Sequence, residues 1–203
     1  WPLPIPATAH LPAWAIQWTW ESGTAPPGTF FLTDRFPWAI GQAVTAMAGQ
    51  NMGAGNIKRV QKTTSTGLCL NLLITLIMVL LVQIFGKQLI LLFTPASPEV
   101  LEEGILYLRI CCSVNSLVYA VMYTFDSFAI GTGAATIALF NALLDAVIVR
   151  LPVSWLLAFP LGLGYPGIYI GQALSPFLPA AAGLLYFKSK GWENKRILHL
   201  HRA

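Results

Sequence analysis

Residues Thr64 to Phe85 read TSTGLCLNLLITLIMVLLVQIF, and no Asp, Glu, Lys or Arg occurs between Lys62 and Lys87. A helix needs about 20 predominantly apolar residues to cross the hydrocarbon of a bilayer. This stretch supplies them, with Asn71, Thr75 and Gln83 as its notable polar interior residues. A second charge-free gap, longer still, separates Arg150 from Lys188. Of the 203 residues 56% are hydrophobic and 10% charged, against about 25% charged in a soluble domain. A water-soluble core does not fit that balance.

The neighbouring segments extend the pattern. Thr94-Pro95-Ala96-Ser97-Pro98 is a turn, and Glu99, Glu102 and Glu103 follow it in the first turn of a helix, the end of the macrodipole that favours carboxylates. Gly131-Thr132-Gly133 and the run Pro160, Gly162, Gly164, Pro166 mark the next breaks. Complete spans are therefore expected at about 64–86, 100–130, 134–159 and 167–187, the last kinked by Pro176 and Pro179. Ala39 to Gly49 reads as the tail end of one further span. The expected fold class is an all-α polytopic membrane protein, with about four complete transmembrane helices plus the end of a fifth in a domain covering residues 38–197, and a tail at 198–203.

Residues 1–37 hold half of the 14 prolines, together with Trp1, Trp14, Trp18 and Trp20. No helical apolar period survives that proline density, so an irregular segment is expected. Pro2, Pro4, Pro6 and Pro12 exclude the uninterrupted apolar core of a signal peptide. The abrupt change in composition near Pro37 and Trp38 reads as a truncation or reading-frame artefact.

Net charge is +4, and the excess sits in two clusters. Lys58, Arg59 and Lys62 form one; Lys188, Lys190, Lys195, Arg196 and Arg202 form the other. They flank apolar runs rather than lining a basic face, and Trp192 is the one aromatic among them, which makes them orientation signals rather than a nucleic-acid footprint. Four complete spans put both clusters on one side, and the positive-inside rule makes that side cytoplasmic, the C-terminus included. Cys69, Cys111 and Cys112 lie inside apolar stretches, two of them adjacent, a poor arrangement for a disulfide framework. His10, His199 and His201 lie at the chain ends, with no Cys or carboxylate at metal-ligand spacing.

Polar residues inside the spans are the candidates for function. Asn115, Tyr119, Tyr123 and Asp126 recur at steps of 4, 4 and 3 along one helical stripe. Asn141 and Asp145 stand one turn apart in the third span, and Tyr165, Tyr169 and Gln172 continue the series in the fourth. A carboxylate near the bilayer centre costs about 2.5 to 3.5 kcal/mol on insertion scales, so such groups usually face a cavity and serve ion or proton movement. Asp145 is the sharpest candidate; the structural alternative is a protonated side chain bonded to Asn141 or to a neighbouring helix. Arg150 lies five residues on, about 140° around an α-helix from Asp145, so a pair within the helix is not the expected reading. Arg150 is expected to snorkel or to reach another helix, and Arg109 to sit at the interface. Gly162-Leu163-Gly164-Tyr165-Pro166-Gly167 matches the dinucleotide fingerprint in letters. No strand precedes it and no acidic residue follows about 20 positions later, so it reads as an interhelical turn. No catalytic triad, acid–base carboxylate pair or metal cluster can be assembled, and no enzymatic function is expected.

From Gly41-Gln42-Ala43-Val44 through Gly49-Gln50-Asn51-Met52-Gly53-Ala54-Gly55-Asn56 the chain resembles the multidrug and toxic compound extrusion (MATE) family of cation-coupled antiporters. Phe125-Asp126-Ser127-Phe128 before Gly131-Thr132-Gly133 looks like the family's F-N-G run before G-A-G-D-T, Arg150-Leu151-Pro152 like its R-I-P, and Gly167-Ile168-Tyr169-Ile170-Gly171 like its G-x-W-x-[GA]. The resemblance covers roughly Phe36 to Arg196 and suits the second six-helix lobe, from the end of its eighth helix through its twelfth. Asp126, Ser127, Ala134 and Ala135 depart from the family pattern. The resemblance implies a multi-pass plasma-membrane exporter of cationic or amphiphilic organic compounds, exchanging them for protons or sodium by alternating access, with no other cofactor. It implies the lipid bilayer and a missing N-terminal lobe as partners. A non-transporting truncated fragment and a related lipid or polysaccharide flippase are the alternatives.

Overall fold

The computed structural model describes residues 29–93 and 98–193. All regular structure among them is helical. Eight α-helices follow one another: α1 (Thr29–Gly53), α2 (Ile57–Phe93), α3 (Pro98–Cys111), α4 (Val114–Gly131), α5 (Ala135–Leu143), α6 (Leu151–Ala158), α7 (Tyr165–Leu174) and α8 (Phe177–Ser189), with a π-helical turn, Leu144–Arg150, joining α5 to α6.

Three helical stretches are long and apolar enough to cross a bilayer: Ile57–Leu91, Ala135–Ala158 and Tyr165–Ser189. Parts of α3 and α4, Gly104–Cys111 and Val114–Gly131, make a fourth if the pair, bent by 46°, is taken as one span. Most of this apolar surface is outward. Only 22% of the α2 window and 17% of the third-span window are buried, and Ile84, Leu139, Phe140, Trp155 and Leu185 each keep more than half their surface exposed. Water would not tolerate apolar faces of that extent; the hydrocarbon of a bilayer does, and helices suit it because their backbone bonds close within the segment.

Helix α4 is the centre of the packing, with α1, α2, α5 and α8 against it, while α6 and α7 form a separate close hairpin. Small residues set the approach distances. A Cβ on Gly131 would lie 2.6 Å from the Thr45 carbonyl oxygen, and one on Gly167 would lie 2.7 Å from the Leu157 backbone. Membrane helices without a hydrophobic driving force between them gain dispersion contact in this way. One apolar cluster, Val44, Ala48, Met52, Val60, Phe128 and Trp192, closes one end of the bundle; another, Val82, Ile90, Tyr107, Leu108, Cys111 and Cys112, lies between α2, α3 and the start of α4.

Two features differ from expectation. The segment 1–37, expected to be irregular, is helical from Thr29 onward, and α1 carries Pro37 inside it; residues 1–28 lie outside the described residues. Membrane helices tolerate proline more readily than soluble ones, and at this level Asn71 Nδ2 on α2 reaches the Pro37 carbonyl at 3.5 Å, tying α1 to α2. The single helix expected over 100–130 breaks at Cys112–Ser113. There Gln83 Nε2 of α2 donates to the carbonyls of Leu108 and Cys112 at 3.0 and 2.9 Å, bracing the bend from outside. The expected interruption of the last span falls at Pro176, between α7 and α8, as its missing donor demands, while Pro179 lies within the first turn of α8. The tail 198–203, His10, His199 and His201 also fall outside the described residues.

Candidate functional site

The third span does not keep α register throughout. From Leu144 to Arg150 the helix widens to a π turn, whose bonds run from residue i to i+5 rather than i+4. Pro152 offers a local cause: it has no N–H for an i−4 carbonyl and its ring crowds that carbonyl. It lies at the start of α6, immediately past the widened turn. In a π turn, residues five apart become neighbours. Arg150 Nη2 is 2.6 Å from Asp145 Oδ2, which corrects the expectation that the two stand too far around the helix to pair.

Two further elements complete this cluster. Tyr119 of α4 donates its hydroxyl to both Asp145 oxygens, at 3.3 and 3.1 Å, and its oxygen also accepts from Arg150 Nη2. Arg150 Nε donates to Ser175 Oγ at 3.4 Å, and Ser175 Oγ in turn donates to the Gln172 carbonyl at 3.0 Å. Asp145 is 7% exposed, so its carboxylate meets protein cations and hydroxyls rather than bulk solvent. The bond to a neighbouring helix therefore exists, through Tyr119, and the one to Asn141 does not.

Asn141 instead turns to the other acid. Its Nδ2 donates to Asp126 Oδ1 at 2.6 Å, tying α5 to α4. Tyr123 stacks on Tyr119 with ring centroids 5.8 Å apart, one turn along α4 towards Asp126. Gln172 Nε2 donates to Tyr107 Oη at 3.4 Å, and Tyr169 meets Tyr107 edge-on at 5.2 Å. Asn115 is 2% exposed, and its Oδ1 has no hydrogen-bond partner among the described residues. The expected stripe thus splits: Tyr119, Tyr123 and Asp126 join the acids, whereas Asn115 does not. Arg109 is exposed.

The two carboxylates differ in environment: Asp145 is buried and held by a guanidinium and a phenol, whereas Asp126 is half-buried and held by a neutral amide.

The MatE family model matches residues 25–156 of this chain. The chain belongs to the MatE family. It is 26% identical over 164 residues to the probable multidrug resistance protein NorM of Thermotoga maritima, covering 81% of this chain and 35% of that protein. It is 30% identical over 159 residues to the probable multidrug resistance protein YpnP of Bacillus subtilis, covering 78% of this chain and 35% of that protein. The solved structure of the MATE transporter ClbM in complex with Rb+ superimposes with a TM-score of 0.76 over 91% of this chain and 42% of that one; at 21% identity the likeness concerns the fold. The chain thus spans 35% of the length of each of these two curated relatives.

The positions that carried the MATE resemblance do structural work. Asn51 Nδ2 donates to the Met47 carbonyl at 2.7 Å and Asn56 N to the Asn51 carbonyl at 2.8 Å, which winds the end of α1 into a turn. Gly55 takes φ 76° in that turn, a region that disfavours a side chain, while Gln50 and Gly53 are exposed. Gly162 and Gly164, at φ 68° and 60°, form the α6–α7 turn in place of any nucleotide loop. Arg150 and Pro152 frame the π turn. Ser175 and Tyr107 escaped the sequence reading because their partners, Arg150 and Gln172, come from other elements of the chain. Asn71 was visible as a polar interior residue, but its three acceptors, the carbonyls of Pro37 and Ala120 and the hydroxyl of Thr124, were not.

Proposed function

We propose that this MatE chain is part of a secondary active multidrug exporter, one lobe of which it largely forms. Such an exporter passes cationic or amphiphilic organic compounds outward in exchange for protons or sodium, by alternating access. The observation that carries the reading is the Asp145–Arg150–Tyr119 cluster, a buried carboxylate inside helices that are apolar enough to span a bilayer. Asp145 serves as the coupling acid, Asp126 with Asn141 as a second cation-sensitive pair, and Tyr123, Gln172 and Asn115 as cavity-side polar groups. No cofactor beyond the coupling ion takes part.

The chain sits in the plasma membrane with its C-terminus cytoplasmic. Support comes from the clustering of charge: Gln61 Nε2 donates to Glu193 Oε1 at 3.0 Å, so the segment with Lys58, Arg59 and Lys62 and the segment with Lys188 and Lys190 meet at one end of the bundle. That is the arrangement the positive-inside rule expects of cytoplasmic ends. Its partners are the bilayer, the exported compound, and a first lobe. The match to 35% of each curated relative favours the corollary that the described lobe does not transport alone.

Ethidium accumulation tests the proposal in cells expressing the chain, alone and together with the part of YpnP that the match leaves uncovered. Lower accumulation with the pair than with either piece supports it. Accumulation unchanged in every case counts against export.

A further inference from the structure

Helices α2 and α8 both pack against α4 rather than against each other. The gap between them is a crevice of about 300 Å³, lined by Gln61, Ser65, Phe187, Lys188 and Lys190. It opens at the basic end of the bundle. Lys188, Lys190, Lys58, Arg59 and Lys62 are all exposed there. Against these five cations the same end holds Glu193, whose carboxylate accepts from Gln61.

The rim is built, not loose. Trp192 is fully buried in the cluster with Val60 and Phe128, and its Nε1 donates to the Phe187 carbonyl at 3.1 Å. Between them the chain turns through Lys190 at φ 54°, a left-handed conformation uncommon for a residue with a Cβ. Ser189 Oγ, bonded to the Tyr186 carbonyl at 2.8 Å, holds the start of that turn. The turn keeps Lys190 beside Lys188 at the mouth of the crevice.

Polarity changes with depth. Along α2 the positions Gln61, Ser65, Leu68 and Leu72 succeed one another at helical spacing, and on α8 Leu184 lies one turn inward of Lys188. Ammonium, amide and hydroxyl groups thus stand at the mouth, and half-buried leucines further in. A free anion would use only the first set. We propose that this crevice binds the headgroup of an anionic phospholipid, the phosphate between Lys188, Lys190 and Ser65 and the acyl chains along the leucine faces of α2 and α8. Basic pockets between membrane helices on the cytoplasmic side hold headgroups of this charge. The site is independent of the acids in the bundle interior.

The test is a titration of the purified chain in a neutral detergent with phosphatidylglycerol, with phosphatidylcholine and with inorganic phosphate, reading bound lipid by native mass spectrometry. Phosphatidylglycerol is expected to bind and phosphatidylcholine to bind more weakly. The double variant K188Q/K190Q should lose about 30-fold in affinity for phosphatidylglycerol, the equivalent of about 2 kcal/mol. Ser65→Trp, which fills the crevice and keeps every charge, should block binding, and Lys87→Gln at the far end of α2 should leave it intact. Equal binding of the two lipids, retention of phosphatidylglycerol by the double variant, or full displacement by inorganic phosphate at equal concentration would each overturn the proposal.

Discussion

Arg150 and Asp145 form an ion pair, 2.6 Å from nitrogen to oxygen, although only five residues separate them in one helix. In α register they would stand about 140° apart. The π turn is what brings them together, so the pair and the local helix register are one structural unit.

Because the two side chains share a buried network with Tyr119, their substitutions should not add. Asp145→Asn and Arg150→Gln are each expected to destabilise the chain, and the double variant to lose less than the sum, with a coupling of about 0.5 to 3 kcal/mol. A double-mutant cycle on thermal unfolding in detergent measures this. Strict additivity would remove the pair from the account.

Pro152 is expected to sustain the widened turn. In a Pro152→Ala background the residue regains an N–H and α register can close, which separates the two charges. The coupling measured by the same cycle should then fall towards zero. A coupling as large as in the parent chain would assign the π turn another cause.

Close helix approach predicts a graded response to added methyl groups. Gly131→Ala drives a Cβ to 2.6 Å from the Thr45 carbonyl oxygen and should cost about 1 to 3 kcal/mol. Gly53→Ala meets nothing within 4 Å and should be neutral or raise stability by up to about 1 kcal/mol. Melting temperatures of the two variants compare them directly.

Asn71 donates to groups on α1 and α4 from α2. Asn71→Leu is expected to loosen all three helices at this level, at a cost of about 0.6 to 1.7 kcal/mol by the scale of interhelical bonds in membranes. Hydrogen exchange should speed up around Pro37 and Ala120. Unchanged protection there would mean that packing alone holds the crossing.

The spans were legible because crossing a bilayer depends on composition over about 20 residues, and Lys62, Lys87 and Lys188, with the breaks at Gly131–Gly133 and Pro160–Pro166, mark their limits without any knowledge of contacts. Asp126, Asn141 and Asp145 stood out for the same reason: polar groups in apolar runs are few. Their pairing did not. Placing Asn141 with Asp126 and Asp145 with Arg150 needs the packing of α4 on α5 and the departure from 3.6 periodicity, and a helical-wheel reading assumes that periodicity from the start. The bend at Cys112–Ser113 carries neither proline nor glycine, and the residue that braces it, Gln83, comes from another helix. Helix α1 runs through Pro37 because membrane neighbours tolerate what a soluble helix would not.

The most direct measurement is gradient-driven ethidium export from proteoliposomes that hold this chain together with the complementary part of YpnP, with and without an imposed proton or sodium gradient. The account predicts export that requires one of the two gradients and falls to the protein-free background in Asp145→Asn. Export by Asp145→Asn at the parent rate, under the same gradient, would contradict it.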